Sequence, residues 1–411
     1  MKIHNVDGLP ILLHKHHAPF TNVSVRVKVG SAHERLEEYG LAHALEHMMF
    51  KGTPSRNDME IDRDTARLGA TNNAGTNYQH TFYWVDARNE NWQEAAKILA
   101  DMFLNASIPE AEWLKEKDVI LSEYRRGLDN VRGDFWGTTA EDVFGSLMHS
   151  VIGTEESIKS FDRASLDDFR KRWYGKPNVY ILAVGDVDED DPSFFAELFR
   201  EMPDATLENS KEALAELEAA PLSPEIGSRW KSRPNLQEGR LLAFQDAERF
   251  DSAKWVHDDV VTNMLGGGSS ALLFERIRKE KGMSCYGLYA YHLNDPIYNA
   301  KCIEAGIAPD QMEELEAEIK SILEDFENLI TEDRFVISRE TMLTSIARSQ
   351  ENVATYAGVL GYYYEMGAED PVVTRAKYME TLQAMEYSEI VEYAKAVFAD
   401  KEWHWAHLLP E

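Results

Sequence analysis

The sequence predicts an α+β fold: two related domains, each a mixed, largely antiparallel sheet packed against a helical layer. Three observations lead there. The chain is 411 residues long, more than one hydrophobic core usually supports. Strand periodicities are interspersed with helical ones along it. After a compositional break the order of elements restarts, which points to duplication. The expected boundaries are 1–205 for an N-terminal domain, 206–235 for a linker and 236–411 for a C-terminal domain.

Residues 22–30, NVSVRVKVG, alternate valine with polar residues, the pattern of a strand with one buried face. A polar connection follows. Residues 40–50, GLAHALEHMMF, then change to helical spacing, with Leu41, Leu45, Met48 and Met49 on one apolar stripe. At about 100° per residue, His43, Glu46, His47 and Phe50 fall on the opposite side. Further strands are expected at 81–87 and 179–185, and helices at 92–105, 109–127 and 165–174. From 204 to 234 the chain turns Glu- and Ala-rich and then gathers Pro221, Pro224, Gly227 and Pro234, the composition of a partly helical linker. The second half restarts with a strand at 240–245 and a helix at 253–265. Gly266, Gly267 and Gly268 follow, without the Gly-Lys-Ser/Thr ending of a phosphate loop, and read as a helix-to-helix turn. Ser269 or Ser270 is placed to cap the next helix. A later helical pair ends near residue 400.

Composition narrows the function. Lys and Arg total 43 against 72 Asp and Glu, a formal net charge of −29, the wrong sign for a phosphate backbone. Nucleic acid is excluded as an expected partner; such acidity would attract basic peptides and equally fits a salty habitat. Cys285 and Cys302 are too few for a disulfide framework. With no signal-like segment and no apolar run of membrane-spanning length, the expectation is a cytoplasmic protein with no membrane association. His14, His16 and His17 would split between the faces of a strand and are read as surface.

His43-Ala44-Leu45-Glu46-His47 is an H-x-x-E-H sequence, the inverzincin order. Histidines at i and i+4 lie one above the other on a helix, so both imidazoles can converge on one zinc ion. Glu46 beside them is placed to take a proton from a water acidified by the metal. A catalytic zinc needs a third protein ligand. Glu116 and Glu123 share a helix face two turns apart, and either can serve. Against this stands the ordinary reading of such residues as a solvated helix face.

Three stretches carry a resemblance: GLAHALEHMMFKGT at 40–53, EKDVILSEYRR at 116–126 and LGGGSSALLFERIRKEKG at 265–282. The sequence resembles the pitrilysin/insulinase family of zinc metallopeptidases, in the short bacterial form related to the mitochondrial processing peptidases. Weaker echoes, NNAGTN at 72–77 and GDVD at 185–188, fall in the expected order. The resemblance implies a third ligand 76 residues beyond the second histidine, which is Glu123, and makes Glu116 a supporting carboxylate. It implies that Asn73 and Ala74 lie on or beside an edge strand to which substrate adds as a β-strand. It also implies an Arg/Tyr pair that holds the substrate carbonyl over the metal. The nearest match is Arg278 with Tyr286, eight residues apart where the family has seven, with Cys285 in the seventh place. A one-residue bulge would restore the geometry, and Lys279 is the alternative cation.

The expected protein is thus a zinc endopeptidase with one Zn2+ per chain, bound by His43, His47 and Glu123, acting on unfolded or short peptides. Glu46 is its general base and Tyr286 a stabiliser of the oxyanion. A two-domain chain is expected to form a homodimer that shares its sites. The rivals are a zinc-bearing subunit that needs a different partner chain and a non-catalytic peptide-binding or core subunit.

Overall fold

The computed structural model describes residues 1–206, 210, 213–214, 229–234, 236–250, 252–295, 298–398 and 402–411. Most of the expected linker lies outside the described residues. The chain divides into two units, Met1–Leu222 with Ser349–Val372, and Ser223–Arg348 with Val373–Glu411. Residues 349–372, assigned from sequence to the C-terminal domain, therefore group with the first unit.

In the first unit, β1 (Lys2–Val6), β2 (Leu9–Lys15), β3 (Phe20–Val27), β4 (Thr71–Thr76), β5 (Thr81–Arg88) and β6 (Val179–Gly185) form one sheet in the order β1-β2-β6-β3-β5-β4. Every neighbouring pair is antiparallel except β2 with β6. Its helices include α1 (Leu41–Met48), α2 (Asp58–Arg67), α3 (Trp92–Asn105), α4 (Glu110–Asp129), α5 (Val131–Phe144), α6 (Glu155–Ser160), α7 (Arg163–Trp173) and α8 (Ser193–Leu198). Val23, Val25 and Val27 of β3 share a core with Leu41, Leu45 and Met48 of α1 and with Ala96, Leu99 and Phe103 of α3. Each such Leu or Met side chain contributes roughly 1.5–3 kcal/mol on burial, so the apolar stripe of α1 holds its polar face at a fixed height over the sheet.

The second unit repeats the topology. Strands β7 (Arg229–Arg233), β8 (Gly239–Asp246), β9 (Tyr286–Asn294), β10 (Asn299–Ile307) and β11 (His404–Pro410) run in the order β7-β11-β8-β10-β9, and again one pair, β7 with β11, is parallel. In both sheets the last strand inserts beside an early one and the strand that follows the first long helix lies at the edge. This correspondence supports duplication more directly than residue identity does. Helices α9 (Trp255–Gly266), α10 (Met312–Glu324), α11 (Phe326–Leu329) and α12 (Glu332–Arg348) precede α13 (Val353–Glu365), and α14 (Pro371–Ala384) and α15 (Tyr387–Val397) follow. By its place after β8, α9 corresponds to α1, and its sequence WVHDDVVTNMLG has no H-x-x-E-H.

Four expectations need correction. The strand at 22–27 is buried on both faces, not one, because α13 covers the side opposite α1. There Leu12, Tyr180, Leu182 and Val184 pack on Val353, Tyr356, Ala357 and Leu360, and the polar alternates of β3 find partners: Arg26 Nε donates to Glu365 Oε1 at 2.8 Å. His14 and His16 are half-buried against the same helix, with the His14 ring edge-on to Tyr356 and its Nδ1 3.0 Å from Glu189 Oε1. The segment after the glycine turn, Phe274–Glu280, is π-helical and its cap position is Leu273, with no side-chain cap bond from Ser269 or Ser270. The chain closes on a strand, β11, beyond the last helix; its His407 and Trp405 are buried within the sheet.

Candidate metal centre

Helix α1 begins after Gly40, whose φ of 98° suits glycine, and a Cβ there would stand 2.4 Å from the Ile152 carbonyl oxygen. No side chain within the helix start caps it. Instead the buried carboxyl group of Glu34 accepts from Gly40 N at 2.8 Å and Ala42 N at 2.6 Å, satisfying amides at the start of the helix. Burial pushes this carboxyl well above its ordinary pKa, and the amides of Ala42 and Gly40 act in the opposite sense.

On the far face of α1, Nε2 of His43 and Nε2 of His47 are 3.3 Å apart. Oε2 of Glu123, on α4, lies 3.6 Å from His47 Nε2 and 3.9 Å from His43 Nε2. Ligand atoms about 2.0–2.1 Å from a tetrahedral zinc stand about 3.3–3.5 Å from one another, so the three atoms need only a small contraction to fit one ion. Among the described residues these three form the one group of His, Cys, Asp or Glu side chains that converges in this way. The donor set of two imidazoles and a carboxylate suits zinc and leaves a position open.

The geometry separates the two candidate carboxylates. Glu116 Oε1 is 2.8 Å from His47 Nδ1, and Glu116 Oε2 is 2.6 Å from Lys51 Nζ. Both oxygens are engaged, and the carboxylate fixes the His47 tautomer with Nε2 free for a metal. Burial alone would raise the Glu116 pKa; the hydrogen bonds from His47 and Lys51 outweigh it and hold the group below its ordinary value. For His47 burial acts downward, and the bond to Glu116 with the nearby carboxylates leaves it raised. His43 is pushed down to about 3 by burial and then by His47, so it is neutral, as a ligand must be. Among the described residues its Nδ1 has no hydrogen-bond partner.

Glu46 projects beside the pair. Thr76 Oγ1, at the end of β4, donates to Glu46 Oε2 at 2.6 Å. Burial raises the Glu46 pKa, with the Thr76 hydroxyl acting the other way. Strand β4 is an edge of the sheet, and it contains both Asn73 and Ala74. They do not share a face: Ala74 packs on the core beneath α1, while Asn73 is exposed.

Arg278 and Tyr286 lie in the second unit. The Arg278 guanidinium donates to the Cys285 carbonyl and sits 4.9 Å above the Tyr286 ring. Tyr286 opens β9, an edge strand, and is 60% exposed. The register of β9 against β10 shifts between Glu304 and Gly306, opposite this end of the strand. Lys279 is exposed and pairs loosely with Glu275 at 3.6 Å. Sequence reasoning did not single out Glu34, Lys51 or Thr76. Lys51 stands four residues after His47 and Thr76 falls within the NNAGTN echo at 72–77, which were the available signals; Glu34 had none.

Residues 10–131 match the family described as Insulinase (Peptidase family M16), and residues 160–342 match the Peptidase M16 inactive domain. The chain belongs to the M16 peptidase family. All of His43, Glu46, His47, Glu116 and Glu123 fall within the first match. The chain is 27% identical over 405 residues to a protein of Rickettsia bellii named an uncharacterized zinc protease, covering 96% of this chain and 93% of that one. It is 30% identical over 246 residues to the mitochondrial-processing peptidase subunit beta of Bos taurus, covering 59% of this chain and 48% of the relative. In structure it resembles a protease from Helicobacter pylori, with a TM-score of 0.89 at 20% identity over 99% of this chain and 98% of that one. That likeness shows the fold.

Proposed function

We propose that the protein is a zinc-dependent endopeptidase that hydrolyses unfolded or short peptides, basic ones among them, with one Zn2+ per chain held by His43, His47 and Glu123. The observation that carries this reading is the convergence of those three donor atoms beside the Glu46 carboxylate. When bound, zinc supplies Lewis acidity, lowering the pKa of a water toward neutrality and polarising the scissile carbonyl. Glu46 takes the proton of the attacking water and delivers it to the leaving amine. Glu116 holds the His47 ring so that Nε2 faces inward. A substrate strand adds along β4 at Asn73 and Ala74, so backbone pairing, not side-chain choice, selects extended peptides. Arg278 and Tyr286 hold the substrate backbone and carbonyl, Tyr286 donating to the developing oxyanion.

The working unit is a homodimer in which Arg278 and Tyr286 of one copy complete the zinc site of the other. A cytoplasmic setting suits two buried cysteines that form no disulfide; among the described residues no helix is long and apolar enough to cross a membrane. A second reading, a zinc-bearing subunit that takes its clamp from a different chain, is favoured by the engagement of the Arg278 guanidinium with Cys285 and Tyr286. The test is cleavage of an unstructured basic peptide, followed by mass spectrometry before chelation, after chelation and after zinc is restored. Zinc-reversible cutting that vanishes in Glu46→Ala supports the peptidase; bound zinc without cutting supports the subunit reading.

A further inference from the structure

We infer that Thr76 is the positioning residue for the general base: its hydroxyl holds one oxygen of Glu46 and leaves the other to handle protons. The inference rests on the role of Glu46 proposed above. Thr76 Oγ1 donates to Glu46 Oε2 at 2.6 Å, the short distance of a hydrogen bond to a charged acceptor. Among the described residues Oε1 of Glu46 takes no hydrogen bond. A free carboxylate on a helix side chain rotates between orientations, and this bond selects one of them.

The hydroxyl is itself held from two sides. Thr76 pairs with Thr81 on β5, and Thr81 Oγ1 donates to the Val29 carbonyl at 2.9 Å. The turn between them is bonded through its backbone to the segment that leads to α1: Ser31 N donates to Asn77 O at 3.1 Å and Ala32 N to Tyr78 O at 2.7 Å. Gly30 permits that approach, since a Cβ there would meet Asn77 O at 2.1 Å. Two residues on from Ala32, Glu34 caps α1. The edge strand and the helix carrying Glu46 are therefore joined by a short, buried chain of bonds, which fixes the distance from Thr76 to Glu46 before any substrate arrives. Such preorganisation contributes to rate and not to ground-state binding. The strand proposed to receive the peptide thus also aims the group that activates water against it.

Three variants test the hydroxyl: Thr76→Val removes the donor at nearly constant shape, Thr76→Ser keeps it, and Thr76→Ala removes donor and methyl. Two readouts are taken. The first needs no activity: the infrared carboxylate band of Glu46, isolated as the difference between each protein and its Glu46→Gln form. It should shift in Thr76→Val and Thr76→Ala and stay in place in Thr76→Ser. The second is cleavage at saturating zinc, where kcat should fall about 10- to 100-fold in Thr76→Val, the effect of one hydrogen bond to a charged group. KM and bound zinc should stay unchanged, and Thr76→Ser should recover most of the rate. An unshifted band in Thr76→Val, or a Thr76→Ser variant as impaired as Thr76→Val, overturns the inference. A wild-type protein that binds zinc but does not cut refutes the peptidase reading instead, and the infrared result still decides whether Thr76 holds Glu46.

Discussion

Lys51 Nζ lies 2.6 Å from Glu116 Oε2, and the other oxygen of that carboxylate is 2.8 Å from His47 Nδ1. A charge on a loop just past the zinc helix thus reaches the proposed metal through one carboxylate and one imidazole. Both Glu116 oxygens are thus turned to His47 Nδ1 and Lys51, whereas Glu123 Oε2 faces the two histidine Nε2 atoms.

Removing Lys51 should therefore loosen the metal without abolishing it. Lys51→Met and Glu116→Gln are each expected to weaken zinc affinity about 10- to 100-fold, the usual effect of losing a group that orients a ligand. The double variant should be little worse than the worse single one, because both act through His47. Competition with a chromogenic chelator measures this; fully additive losses would mean that Lys51 and Glu116 act separately.

The opposite face of the sheet makes a different prediction. Glu365 is buried with Arg26, Tyr180 and His80: Tyr180 donates to Oε1 at 2.7 Å and His80 Nδ1 is 3.7 Å from Oε2. Burial would raise the Glu365 pKa, but the Arg26 charge, together with His80 and the hydrogen bonds from Arg26 and Tyr180, outweighs it and the group is held low. A depressed carboxyl contributes stability that is complete above the unfolded value of about 4.3 and is lost as the pH falls below it through the folded value. Arg26→Met should cost about 3–5 kcal/mol at neutral pH by stranding the carboxylate. Burial is then opposed only by His80 and the Tyr180 hydroxyl, the carboxyl takes up a proton more readily, and the loss should shrink toward about pH 5. Urea unfolding at the two pH values checks the sign.

Gly361 sits in the middle of α13, where helix propensity favours alanine by about 0.8–1.0 kcal/mol. A Cβ at this position would stand 2.5 Å from Arg26 Cζ, and Glu365 pins that guanidinium. Gly361→Ala should therefore destabilise, by about 1–3 kcal/mol, and the effect should diminish in an Arg26→Met background. A stabilising Gly361→Ala would show that Arg26 can move away freely.

If two copies share their sites, two inactive variants should rescue each other. Mixing Glu46→Ala with Arg278→Ala under conditions of demonstrated subunit exchange is expected to restore up to about a quarter of the wild-type activity, since one composite site in the mixed dimer is intact. Exchange without any recovery would remove the shared-site arrangement.

The elements that position the zinc site were legible because their signals are local. Helix α3 and strand β6 occupy the residues expected, and the stripe of Leu41, Leu45 and Met48 placed His43 and His47 on the open face of α1. Strand β4 was legible only through the family resemblance: from its residues alone TNNAGT reads as a turn, and an edge strand needs only Ala74 to face the core. The second buried face of β3 was invisible because its cover, α13, comes more than 300 residues later. Burial of Asn22, Ser24 and Arg26 contradicts the alternation unless that helix is known. Glu34 and Thr76 escaped for the same reason, since each acts on α1 from another element.

Native mass spectrometry of zinc content across single variants decides which side chains hold the metal. One zinc per chain is expected in the wild type, none in His43→Ala, His47→Ala or Glu123→Ala, and full occupancy at saturating zinc in Glu46→Ala and Glu116→Gln. Zinc retained by Glu123→Ala and lost from Glu116→Gln would make Glu116 the ligand and contradict the geometry described for this site.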